Sequence, residues 1–197
     1  LGAGAAGGTG TELVAAALAE APDAPLIIAL LAAGFGVKAG VVPLHVWLPL
    51  AHPAAPVPAS AALSGAMIKA GLVGWITLLP LGATGARGWS TTFVVVGLVT
   101  ALWGAAVGVL QDRPKVVLAY SSISQMGLIT VLVGLAWASP VAAPVGIAAA
   151  VTTALHHGLA KGALFLGVGV RSTWPGPRGR RAVLVGTAVA GLALAGL

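Results

Sequence analysis

The sequence predicts an all-α, polytopic transmembrane helix bundle, and three observations lead there. Of its 197 residues, 58% are hydrophobic and 7% charged, against roughly 25% charged in an ordinary soluble domain. Apolar stretches near the roughly 20 residues that one bilayer crossing requires recur between breaks rich in Pro, Gly and Ser, the residues that punctuate helices. The acidic residues number four, Glu12, Glu20, Asp23 and Asp112, and each lies outside the middle of an apolar stretch.

Taken from the N-terminus, residues 1–8 read as the tail of an earlier helix. Full spans follow at 25–50, 59–79, 91–110, 115–137 and 145–170, with a partial one at 182–197. Between them lie "HPAAPVP", "LGATGARGWS", "QDRP", "ASPVAAP" and "STWPGPRGRR". Residues 1–197 are expected to form a single membrane domain. With Leu1 first and the apolar "AGLALAGL" last, the chain is expected to be a fragment of a longer polypeptide.

Positive charge sets the orientation. If the span 25–50 starts on side one, Arg113, Lys115, Arg171, Arg178, Arg180 and Arg181 fall on side two, and Arg87 on side one with the N-terminal acids. That excess marks side two as cytoplasmic, and the chain as a multi-pass protein of the inner (plasma) membrane. The net charge of +6 and the "RGRR" cluster follow from this asymmetry. The lipid bilayer is the partner they fit, and no nucleic acid is expected.

The absence of cysteine removes disulfides, thiolate metal sites and iron–sulfur ligation. "GAGAAG", from Gly2 to Gly7, matches the dinucleotide fingerprint, but no strand precedes it, and small residues at four-residue spacing serve helix packing. His156 and His157 face two directions on a helix with no carboxylate to join them, so no metal is expected. No flavin, nucleotide or metal cofactor is assigned to the chain.

Lys38, Lys69 and Lys161 fall near mid-span, where each costs roughly 2.5–3.5 kcal/mol even on the lenient insertion scale. No carboxylate shares those spans. Such residues are kept for function and face a bundle interior or a water-filled cavity; snorkelling to an interface is the alternative, and mid-span placement opposes it. The chemistry that a wet, buried lysine supports is proton exchange. His157 and Lys161, four apart, share one helix face, and His45 lies seven residues after Lys38. Imidazole both donates and accepts near neutral pH. His52 reads as a loop residue, and "SSISQ" at 121–125 either bonds a neighbouring helix or lines water. The six tryptophans read mostly as interface anchors and packing.

Pro43 has no N–H and clashes with the preceding turn, while Gly36 and Gly40 weaken the helix before it. "GVKAGVVP" is therefore expected to be a discontinuous helix in mid-membrane, with a simple proline kink as the alternative. Unwound backbone at that depth needs protein or a water-filled cavity around it, as in transporters whose broken helices build ion sites at the midplane. Lys38 is expected at the break because the break holds water.

Three stretches, "GFGVKAGVVPLHVWLPLAHPAAPVPASAALSGAMIKAG", "QDRPKVVLAYSSISQMG" and "LHHGLAKGALFL", extend from Gly34 to about Val170. They resemble the antiporter-like proton-translocating membrane subunits shared by respiratory complex I, membrane-bound hydrogenases and Mrp cation/proton antiporters. The wording of the first is most similar to the large membrane subunit of the formate-hydrogenlyase and hydrogenase-4 type. The resemblance implies an antiporter-like inverted-repeat fold, with Lys38 as the lysine of the broken seventh helix, Lys69 as that of the eighth, and His157 with Lys161 as the relay of the eleventh.

It also implies a proton-translocating subunit of a redox-driven complex, with other membrane subunits as partners and no redox site of its own. Protons are the implied cargo, with sodium the other candidate. The alternatives are a structural scaffold that no longer conducts and a Mrp-type sodium/proton antiporter subunit. The family pattern adds a glutamate two helices before the first lysine, and a second broken helix after a segment like 182–197; neither falls within this sequence. Thr153 stands where relatives often have a further histidine, and His156 has no family role.

Overall fold

The computed structural model describes residues 10, 14, 17–18, 21–82, 87–174 and 176–195. The glycine pattern from Gly2 to Gly7, the helix tail at 1–8, Glu12 and Glu20 lie outside them. Helix α1, Ala24–Ala39, starts with Pro25 in its first turn, where the missing N–H leaves no bond unmade. It ends because Gly40 turns left-handed at φ 75° and ψ 40°, a conformation open to glycine at no steric cost. Gly36 O accepts both the Gly40 N–H at 2.9 Å and the Val41 N–H at 3.2 Å. Residues 42–46 run as turns and include the cis Val42–Pro43 bond. The helix resumes as α2, Trp47–Ala54.

The break at 40–46 is held by protein. The Val42 N–H donates to Thr100 Oγ1 at 3.0 Å, and Trp47 Nε1 donates to Val37 O at 2.7 Å. Non-helical backbone at membrane depth needs such partners.

A second irregular unit follows. Helix α3, Val57–Ala62, runs into a π-helical turn, Leu63–Met67, and then into α4, Lys69–Leu78. The Ile68 N–H reaches back five residues to Leu63 O at 3.2 Å, the signature of a π-bulge. Three regular helices come next: α5, Arg87–Gly108; α6, Pro114–Ala136; and α7, Ala142–Thr173. The 32 residues of α7 make about 48 Å of helix, longer than a roughly 30 Å hydrocarbon core. Helix α8, Pro177–Ala195, begins at a proline ahead of the arginine cluster.

Val57–Leu78, Gly88–Gly108 and Pro114–Ala136 are each long and apolar enough to cross a bilayer, while Ala24–Ala39 is shorter. The bundle is all-α with a discontinuous path, and its outer face suits lipid: Leu102 is 71% and Leu159 79% exposed. Inside, Trp75, Ile123, Met126, Ile129 and Val133 form one core.

Small residues set the helix spacing. A Cβ at Gly71 would lie 2.6 Å from Phe35 O, so α1 and α4 meet backbone to backbone, and one at Gly104 would lie 2.6 Å from Ser124 N, which joins α5 to α6 in the same way. Helix α2 packs on α6, α3 and the π-turn pack on α7, and α8 packs on α7.

Candidate functional site

The π-turn decides where Lys69 points. It shifts the helical ladder by one residue, and Ser64 O, next after the Leu63 carbonyl that Ile68 uses, accepts a short hydrogen bond from Lys69 Nζ. The turn also sits tight against α7. A Cβ at Gly158 would lie 2.6 Å from Gly65 O and 3.7 Å from Lys69 Cε. Lys69, half-buried, therefore lies beside the residue that follows His157. It lines a groove of about 490 Å³ with Gly65, Ala66, Ala154 and Gly158.

Lys161 is fully buried on α7. Its ammonium donates to Leu118 O at 2.9 Å and makes a short bond to Ser121 Oγ. Leu118 O also accepts the Ser121 hydroxyl at 3.1 Å and the Ser122 hydroxyl at 3.0 Å. Ser122 Oγ in turn lies 2.7 Å from Ser64 Oγ. A hydroxyl has one proton: with that of Ser122 on Leu118 O, Ser64 donates in this pair, and with it on Ser64 Oγ, Ser122 donates and Leu118 O keeps Lys161 and Ser121. A hydrogen-bonded bridge thus runs from Lys69 through Ser64, Ser122 and Leu118 O to Lys161. Both carbonyls in it accept only. They hold the two ammonium groups in place and have no proton to pass on.

His157 makes a second connection between the two lysines. His157 is 1% exposed, neither ring nitrogen has a protein partner, and its ring lies within electrostatic reach of both Lys69 and Lys161. The structure thus brings together Lys69, His157 and Lys161. Beyond Lys161 lies a mostly apolar cavity of about 300 Å³, walled by Ala105, Val109 and Val117 among others, whose polar lining besides Lys161 is Ser121, Ser124 and Gln125 of the "SSISQ" patch. The patch bonds neighbouring helices, through Ser122 to Ser64 and Ser124 to Ala101 O, and borders this cavity.

Lys38 and His45 lie apart from this group. Lys38, half-buried in the last turn of α1, borders a groove of about 400 Å³ with Leu30, Leu31, Gly34, Phe35 and Ala70. His45 sits in the break, where Trp103 Nε1 donates to its Nε2 at 3.3 Å and Tyr120 meets it edge-on at 6.5 Å. His156 is exposed. Among the described residues no three His, Cys, Asp or Glu side chains gather as a metal site would need.

Two residues rank higher in the structure than in the sequence. His52, read as a loop residue, is a fully buried member of α2, stacked on Phe165 at 4.5 Å. Its two nitrogens have no protein partner, and Lys161 and Lys115 both act on it electrostatically. Lys115, counted as a topology charge, donates to Ala55 O at 2.6 Å and so pins the end of α2 to the start of α6. No local signal marks His52, because the break at 40–46 interrupts any helical register from Lys38 and His45 and its burial comes from Phe165 of α7.

Comparison with known proteins identifies the family. The family model described as "NADH:quinone oxidoreductase/Mrp antiporter, TM" matches residues 8–174. The chain belongs to this antiporter-like membrane family. Hydrogenase-4 component B of Escherichia coli (strain K12) is 40% identical over 144 residues, 69% of this chain and 21% of that protein. The A component of the Na(+)/H(+) antiporter of Alkalihalophilus pseudofirmus is 37% identical over 155 residues, 74% of this chain and 19% of that one. The chain therefore spans about a fifth of the length of these family members. The solved Mrp complex from Dietzia sp. DQ12-45-1b is 28% identical with a TM-score of 0.67, over 82% of this chain and 32% of the matched one.

Proposed function

We propose that this family member is a proton-translocating membrane subunit of a redox-driven complex, in which protons move between Lys69 and Lys161 by way of His157. One observation carries the reading: a fully buried Lys161 whose hydrogen-bond acceptors, Leu118 O and Ser121 Oγ, are neutral, next to an imidazole with both nitrogens free of protein partners. A lysine kept for structure alone would gain more from a carboxylate. Neutral acceptors support the ammonium while leaving it able to release a proton to His157, which can accept on one nitrogen and donate from the other.

Lys38 joins the route in this proposal through the glutamate that the family pattern supplies, and the chain acts as part of a longer subunit beside other membrane subunits. The end of the bundle carrying Arg113, Lys115 and Arg171 faces the cytoplasm. Identity to hydrogenase-4 component B supports a redox-driven parent. The likeness to the Mrp complex and the longer match to the Na(+)/H(+) antiporter component favour a sodium/proton antiporter as the second reading. Neighbouring genes for a nickel–iron hydrogenase or for small Mrp subunits would decide between them.

The test is Lys161→Arg and Lys161→Met in the encoded subunit with its partners, with assembly and proton translocation measured together. Both variants should assemble and fail to translocate, since guanidinium stays protonated and thioether binds no proton. Full translocation by an assembled Lys161→Arg complex would remove Lys161 from the route, and loss of the assembled complex in both variants would favour the scaffold.

A further inference from the structure

Polar groups are distributed unevenly about the helix break. Ser60, Ser64, Lys115, Ser121, Ser122 and Lys161 lie toward the end of the bundle where α3 and α6 begin. Toward the other end, where α5 begins, four aromatic rings interlock. Trp75 of α4 meets Phe93 of α5 edge-on at 5.1 Å, Phe93 meets Trp137 at the end of α6 edge-on at 5.3 Å, and Trp89 of α5 stacks on Trp137 at 6.1 Å. Trp75 and Trp137 are each 1% exposed and Phe93 5%.

Between these rings and the break lies a half-open cavity of about 160 Å³, walled by Val41, Val96, Trp75 and Phe93 among others, with Ala33, Pro43 and Thr92 exposed at its rim. By volume it could hold about five waters at roughly 30 Å³ each. Its chemistry opposes them. The Thr92 and Thr130 hydroxyls on its wall donate to Gly88 O at 2.8 Å and Met126 O at 2.7 Å of their own helices, and Trp75 Nε1 donates to Ala32 O at 3.2 Å. The Val42 N–H of the break is taken by Thr100. Trp137 Nε1 is buried without a protein partner but lies off this wall; a wall of apolar and internally bonded groups stays dry, and a dry gap interrupts any chain of waters that could carry a proton.

We propose that Trp75, Trp89, Phe93 and Trp137 form an insulating plug that keeps water and protons from crossing between the helix break and the end of the bundle where α5 begins. Protons that reach the lysine series then enter and leave by other faces. Phe93 is the keystone, because it touches both Trp75 and Trp137. The plug is a property of this packing alone. Only its purpose, to prevent leakage past a conducting site, rests on the proton-carrier reading.

Two measurements on the encoded subunit test it. The first uses a subunit in which any cysteine outside these 197 cysteine-free residues is replaced: Val96→Cys, on the cavity wall, should resist a small hydrophilic methanethiosulfonate reagent with Phe93 present and react when Phe93→Ala is added. The second is passive proton permeability of proteoliposomes holding a pH dye, under a potassium-diffusion potential. Folded Phe93→Ala should raise it on the order of tenfold, one decade of barrier lowering. Phe93→Leu, which keeps the gap apolar, should not. If Phe93→Ala fails to fold, the Val96→Cys variant with the rings intact still decides by its reactivity. Ready labelling of Val96→Cys behind the intact rings, or unchanged permeability in a folded Phe93→Ala protein, would overturn the plug. Loss of Lys161-dependent transport is read separately and bears only on the proton-carrier reading.

Discussion

Replacing Ser122 by alanine should expose the direction of the buried bridge. Ser122 and Ser64 are both fully buried. The substitution removes the 2.7 Å bond to Ser64 and the 3.0 Å bond to Leu118 O. Leu118 O is not orphaned, since Lys161 and Ser121 still donate to it. With Ser64 the donor, its hydroxyl loses its acceptor, and a buried donor left without one costs about 1–3 kcal/mol. Ser64→Ala is milder, because Ser122 keeps its bond to Leu118 O and loses only a donor, a net hydrogen bond of about 0.5–1.5 kcal/mol. The double variant leaves neither hydroxyl stranded, so it should cost less than the sum of the singles, with a coupling of about 1–2 kcal/mol. Reversible unfolding in mixed micelles, followed by circular dichroism, would give the four free energies. Additive costs, or a Ser64→Ala variant weaker than Ser122→Ala, would refute the bridge as described.

Gly40→Ala should destabilise the fold by about 1–2 kcal/mol, the penalty for a Cβ in left-handed backbone, because Gly40 holds φ 75° at the end of α1; an unchanged unfolding midpoint would show that the break relaxes freely. Topology can be read from single cysteines at Gly176 and Gly88, where an added Cβ meets nothing within 4 Å. In intact cells an impermeant thiol reagent should label Gly88→Cys and spare Gly176→Cys, and the reverse would invert the orientation. Gly179 would be a poor site, since its Cβ would run into Trp174 O.

Helix content was legible because its causes are local: hydropathy over about 20 residues and the Pro and Gly between stretches. Gly40 and Pro43 likewise announce a break from within a few residues of sequence. The π-turn at Leu63–Met67 was not legible. "ALSGAMIKAG" has no proline, and the packing that accompanies the turn is tertiary, the contact of Gly65 with Gly158 nearly a hundred residues on. His52 was misplaced for a similar reason: Pro53 and Pro56 suggest a loop, yet its ring is claimed by Phe165 of α7. The early start of α8 relative to 182 reflects a local signal read the wrong way. Pro177 suits a first turn, and the arginines that looked like loop charge are good helix formers.

The site is irregular where it must act and regular where it must be held. Helices α5 and α6 form a hairpin locked along its length. A Cβ at Gly97 would lie 2.7 Å from Gly127 O and one at Gly134 2.8 Å from Val94 N, so only glycine lets the backbones touch. Ser90 donates to Gly134 O at 2.7 Å at one end and Ser124 to Ala101 O at 2.9 Å toward the other. The groups that grip Lys161, Leu118 O and Ser121 Oγ, project from this hairpin, whereas Lys69 is held by Ser64 O of the π-turn. Lys69, by contrast, stands at the end of a π-turn, and Lys38 just before a break. Motion at the π-turn would carry Lys69 and its acceptor Ser64 O together and change how far they lie from Ser122 of the hairpin, since a close-packed hairpin shifts as a unit or not at all. A rigid hairpin holding Lys161, with Lys69 on the deformable turn beside it, is a geometry in which a small helix movement can change the Ser64–Ser122 link between them without unpacking the core.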